Sequence, residues 1–82
     1  MKVELKIHCR ELTGNMEDGI YEMPEGSTTA DLVHAAEKKA GFTLADTFFP
    51  WTFPLINGKT SQWYDEIHEG DKVTALHIVM GG

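Results

Sequence analysis

The chain has 82 residues, 7 basic against 13 acidic for a formal charge of −6, so it holds one domain and is a poor match for nucleic acid or an anionic membrane, both of which recruit Lys and Arg. No apolar run approaches the ~20 residues of a membrane span, and Met1 to Lys6 alternates polar and apolar residues where a leader peptide would be continuously apolar. One cysteine, Cys9, excludes an internal disulfide framework and a four-cysteine metal site, which makes a reducing, cytoplasmic compartment the simplest expectation.

Val3, Leu5 and Ile7 alternate with Lys2, Glu4, Lys6 and His8, the period-two pattern of a half-buried strand. Thr13-Gly14-Asn15 supplies turn chemistry, and Gly19 to Met23 reads as a second strand stopped by Pro24-Glu25-Gly26. Together they predict an antiparallel hairpin around a short connection. Thr28 then suits a helix N-cap, with Asp31 placed to favour the positive end of the helix dipole. Leu32, Val33, Ala36 and Ala40 fall on one face of that helix, His34, Glu37 and Lys38 face away, and Gly41 occupies the C-terminal position that favours left-handed backbone.

Phe42 to Pro54 reads as a long, partly folded connection, because Pro50 and Pro54 obstruct regular strand pairing. Leu55-Ile56 is a short strand ending in the turn dipeptide Asn57-Gly58. Trp63 to Ile67 holds a helical turn or a very short strand, and Glu69-Gly70-Asp71 is another turn. The last strand spans Lys72 to Met80; its nearly continuous apolar run Leu76-His77-Ile78-Val79 marks a central position. A sheet closed over one helix buries both apolar faces. The expectation is an α+β, β-grasp domain over residues 1–80, a mixed sheet packed on one main helix, with 81–82 as a flexible diglycine tail.

The chemistry-bearing side chains are sparse. His8, His34, His68 and His77 lack metal-ligand spacing, so no metal site is expected. Nothing near Cys9 would activate it, and it reads as a buried or edge thiol. No Walker-type phosphate loop is present. Phe48, Phe49, Trp51 and Phe53 have two readings: a cover over an open end of the core, or an exposed anchor for a partner. If Leu76 and Ile78 face the helix, His77 and Val79 lie on the outer face of the sheet. Asp65, Glu66, Glu69 and Asp71 form an acidic cluster, solvated or paired with a basic partner.

Four segments, in this order, resemble the ubiquitin-like sulfur carriers of the MoaD/ThiS type: Met23-Pro24-Glu25-Gly26-Ser27-Thr28, Leu55-Ile56-Asn57-Gly58-Lys59, Ile67-His68-Glu69-Gly70-Asp71-Lys72-Val73 and the final Gly81-Gly82. The resemblance implies a co-substrate with no catalysis and no cofactor of its own. A partner adenylyltransferase related to ubiquitin-activating enzymes, using ATP, would activate the Gly82 carboxylate, with Gly81 as its flexible leash. A thiocarboxylate at Gly82 would then donate sulfur to an acceptor synthase: the large subunit of molybdopterin (or tungstopterin) synthase, slightly favoured by chain length, or thiazole synthase in thiamine formation. It also implies the outer sheet face as the usual partner surface. Independently of the family, glycines narrow a tail bound for a partner's pocket, and Val79 to Gly82 reach about 13 Å at ~3.3 Å per residue. Two alternatives stand: a ubiquitin-like modifier joined to lysines through Gly82, and a β-grasp interaction domain whose last glycines are incidental.

Overall fold

The alternating first segment forms β1 (Lys2–Ile7), with Val3, Leu5 and Ile7 buried. The structure, a computed structural model, describes residues 1–78. β1 pairs antiparallel with β2 (Gly19–Glu22), register Lys2↔Glu22 to Leu5↔Gly19, so the hairpin is as expected. Its connection is not a short turn, however: it contains the single-turn helix α1 (Arg10–Thr13). Thr13 and Met16 are fully buried, so this segment closes one end of the core. Asp18 ties it back, accepting the Ile7 amide at 2.8 Å and pairing with Arg10 at 3.0 Å. Gly14 has φ 55°, and a Cβ there would sit 2.6 Å from the Phe42 ring. Only glycine lets the loop press so closely on the segment that follows the main helix.

That helix, α2 (Thr29–Ala40), begins at a complete capping box. The Asp31 amide donates to Thr28 Oγ1 at 3.2 Å and the Thr28 amide donates to Asp31 Oδ2 at 2.9 Å, which satisfies two of the helix's unpaired donors. Gly41 ends it in the left-handed region at φ 65°. Thr29, Leu32, Val33 and Ala36 are its buried stripe, and Ala40 is partly buried.

β3 (Thr52–Ile56) starts inside the stretch read as a partly folded connection, earlier than the expected Leu55-Ile56, and includes Pro54. The Pro54 carbonyl accepts the Ser61 amide at 2.9 Å, so this residue's backbone groups point to the outer edge, toward β4 (Lys59–Thr60). The missing amide hydrogen therefore removes no bond to the neighbouring strand on the other side, and the proline is tolerated. Asn57 and Gly58, at φ 53° and 84°, make the β3–β4 turn, both residues in the positive-φ region that such hairpins require.

β5 (Lys72–His77) lies in the middle of the sheet, whose order is β2-β1-β5-β3-β4. It runs parallel to β1, with Leu5↔Val73 and Ile7↔Ala75, and antiparallel to β3. The strand was expected to reach Met80; residues 79–82 lie outside the described part. Val73 and Ala75 join Leu5, Leu32, Val33 and Ile67 in the core between sheet and helix, the β-grasp arrangement. Leu32 is fully buried, so Leu32→Ala is expected to cost about 2–5 kcal/mol through lost burial and an incompletely collapsed cavity, read as a lowered midpoint in chemical denaturation.

Candidate functional site

The site is the place where the chain leaves the sheet. The Ile78 amide donates to the Trp51 carbonyl at 2.9 Å, extending by one step the β3–β5 pairing that ends at Thr52↔His77. Trp51 is held in turn: its amide bonds the Thr47 and Phe48 carbonyls, the Thr52 hydroxyl donates to the Phe48 carbonyl at 2.7 Å, and Trp63 Nε1 donates to the Thr52 carbonyl at 3.1 Å. Val79, Gly81 and Gly82 lie outside the described residues.

The inward and outward faces of β5 are the reverse of the sequence expectation. The register Leu5↔Val73 and Ile7↔Ala75 turns the odd-numbered residues toward the helix, so Leu76 and Ile78 lie on the outer face. His77 has the inward phase but falls past the end of the core; it is exposed, and its Nδ1 faces Glu11 Oε1 of α1 at 3.0 Å. It does not belong to the outer surface.

The aromatic run divides by residue. Phe48, 2 % exposed, is core and cannot be a docking residue. Phe49 is half-buried and packs edge-on against Phe48 and Trp63, with ring centroids 5.1 and 5.3 Å apart, and lies 5.3 Å from His34. These two phenylalanines cover the core together with Trp63, a partner that the sequence reading did not single out and that no local pattern betrays. Trp51, by contrast, is 46 % exposed, and Phe53 sits half-buried opposite Leu76 on the outer face. The structure thus brings together Trp51 opposite Ile78, Phe53 opposite Leu76, and Leu55 opposite Thr74: an apolar ladder leading to the point of exit.

The acidic cluster is largely committed to backbone architecture. Asp65 Oδ2 accepts the Gln62 amide, Asp71 Oδ2 accepts the His68 amide, and Glu69 Oε1 accepts the Lys2 amide, all within 2.9 Å. Asn57 Nδ2 donates to Asp71 Oδ1 at 2.9 Å while its Oδ1 accepts the Lys72 amide at 3.0 Å, so the β3–β4 turn is clasped to the start of β5. Only Glu66 lacks such a backbone bond; it faces His68 at 3.4 Å.

Among the described residues no cluster of three or more His, Cys, Asp or Glu could hold a metal ion, and no helix is long and apolar enough to cross a membrane. Cys9 is buried, and that burial, with a smaller push from Glu11, raises its thiol to about 11. Such a group is protonated near neutral pH and is no nucleophile. Glu37 has a structural assignment: Oε2 accepts the Leu44 amide at 2.6 Å and Oε1 lies 3.1 Å from His34 Nδ1. The Leu44 bond first, then the His34 contact, holds its carboxyl below the ordinary 4.5.

No protein-family model and no curated protein matches the sequence. Solved structures do match the fold. Small archaeal modifier protein 1 of Haloferax volcanii superposes with TM-score 0.69 at 18 % identity, covering 100 % of both chains. A Pyrococcus furiosus protein described as molybdopterin converting factor, subunit 1, gives TM-score 0.68 at 24 % identity over 96 % of this chain and 99 % of its own. A Caldiarchaeum subterraneum ubiquitin gives TM-score 0.58 at 14 % identity over 100 % of this chain and 98 % of its own. The chain therefore has the ubiquitin-like β-grasp fold, and the type of protein its sequence resembles is present among its structural neighbours.

Two measurements check the side-chain assignments. A carboxyl held below its ordinary pKa stabilises the fold above the unfolded pKa and ceases to do so as pH falls through the folded value. Glu37→Gln is expected to lower the thermal midpoint at pH 7, and the gap from wild type should close as the pH drops below 4.5. Cys9 is expected to resist iodoacetamide in the native protein near neutral pH and to react once the chain is unfolded, followed by intact mass.

Proposed function

We propose that the chain is a sulfur carrier whose terminal Gly82 carboxylate is the reacting group. A carboxylate oxygen attacks the α-phosphorus of ATP in the active site of a partner adenylyltransferase, forming the acyl-adenylate and releasing pyrophosphate. Hydrosulfide then attacks the acyl carbon, AMP departs with the electrons of the broken C–O bond and the S–H proton is lost, leaving a thiocarboxylate. The sulfur passes to an acceptor synthase, with molybdopterin or tungstopterin assembly favoured slightly over thiamine. The protein's own contribution is presentation: a stable body, a tail ending in Gly81-Gly82 that is narrow enough for a partner's pocket, and a surface that holds the partner while the tail is inside.

The observation that supports this reading best is the exit geometry. A central strand, bonded on both sides, delivers the chain to the sheet's end at Ile78, four residues before Gly82, beside the ladder of Trp51, Phe53, Leu76 and Ile78. That ladder, not the buried Phe48 or the outlying His77, is the docking platform in this proposal; apolar and aromatic side chains at such a place supply most of an interface's binding energy. Similarity to a molybdopterin converting factor subunit supports the carrier reading. Similarity to a small archaeal modifier protein supports a second one, in which a lysine amine in place of sulfur attacks the same acyl-adenylate and forms an isopeptide bond.

Intact-mass measurement of protein purified from its own host separates the two. The carrier appears as a species heavier by the exchange of one oxygen for one sulfur; the modifier appears as higher-mass lysine conjugates. Deleting Gly82 is expected to abolish both products without moving the unfolding midpoint. A natural chain that extends past Gly82 and is never trimmed, or sulfur transfer that survives the deletion, overturns the proposal.

A further inference from the structure

From the charge distribution around the outer face we infer the chemistry of its partner: an apolar surface flanked by carboxylates. This inference rests on the docking platform proposed above and specifies what fits it. By strand alternation the outer face of β1, β2 and β5 carries Lys2, Lys6 and Lys72 against Glu4 and Glu22, a local net of +1, which leaves −7 for the rest of the chain. The platform of an acidic protein is thus slightly basic. Lys6 lies opposite Thr74, one outer-face position from Leu76, and Lys72 lies opposite Glu4, one outer-face position from Thr74.

Both lysines are exposed, and among the described residues neither forms an ion pair; the Lys and Arg pairs found there belong to Arg10 and Lys39. Their charges are available to an incoming surface. The acidic turn after β4 is a separate feature: none of its four carboxylates belongs to a strand of this face, and three of them hold backbone amides of this chain. Charges at the rim of an apolar contact steer encounter and exclude wrong partners more than they add affinity, so Lys6 and Lys72 act mainly on the association rate.

Carbodiimide coupling in host extract tests this, since it joins an amine to a carboxylate only where the two touch. The full chain is added as bait and the coupled sites are mapped by mass spectrometry. The expected result is coupling from Lys6 or Lys72 to Asp or Glu residues that flank an apolar surface segment of one partner. Leu76→Ser should remove that coupling. A Lys6→Glu/Lys72→Glu variant should associate with the identified partner about tenfold more slowly, with an unchanged unfolding midpoint. Coupling that runs instead from Glu66 or Glu69 to partner lysines, coupling between two copies, or none at Lys6 and Lys72 overturns the inference. The mass of Gly82 reports separately on the carrier reading: a thiocarboxylate without lysine coupling sinks only the partner chemistry, and lysine coupling without a thiocarboxylate or conjugate sinks only the carrier or modifier function.

Discussion

The parallel pairing of β1 with β5 is the constraint on which the rest of the molecule depends. It joins the first and last strands at the centre of the sheet, with Leu5 beside Val73 and Ile7 beside Ala75. A one-residue slip in this register would exchange the two faces of β5 and send Thr74 and Leu76 into the core in place of Val73 and Ala75. The correct register makes the smaller Val73 and Ala75 the inner layer under α2 and leaves the larger Leu76 and Ile78 outside. The same bonds that complete the core therefore create the external apolar ladder. Core and candidate site are two sides of one strand.

The segment between α2 and β3 has a related double role. Glu37, on the helix, holds the Leu44 amide; Phe48 plugs the core; Phe49 and Trp63 pack over it edge to face. Each tie fixes the backbone a little closer to Trp51, whose carbonyl receives the last described amide of β5. A stretch without regular secondary structure thus becomes rigid through side chain–backbone bonds and aromatic packing. Its exposed end is set against the point where the chain departs.

The fold was legible where local chemistry decides it. Thr28 and Asp31 announced the helix start because the capping box is a contact between neighbours in sequence, and Gly41 and Asn57-Gly58 announced the helix end and the turn for the same reason. What was not legible depends on partners distant in sequence. Pro54 was read as a strand breaker because its tolerance rests on which edge its amide would face, a fact about Ser61. Strand alternation separates Leu76 and Ile78 from His77 and Val79 but leaves open which pair faces the helix; the deciding term is their phase relative to Leu5 and Ile7, some seventy positions away. The four aromatic residues looked like one cluster, yet burial of Phe48 and exposure of Trp51 follow from the geometry of a connection with no periodicity to read.

The acidic cluster shows how composition can mislead about recognition. Asp65, Glu69 and Asp71 look like surface charge in the sequence, and a chain at −6 invites the idea of a basic partner. In the structure their oxygens accept amides of the chain itself, the usual occupation of Asp and Asn at turns. A carboxylate so engaged still contributes to the long-range field, which decays within about 10 Å at ordinary salt, and its remaining lone pairs can accept a further donor, but its place is set by the amide it holds within the chain. The lysines of the outer face have no such prior commitment. At contact range the face that carries the apolar ladder therefore offers Lys6 and Lys72, whose side chains form no ion pair among the described residues.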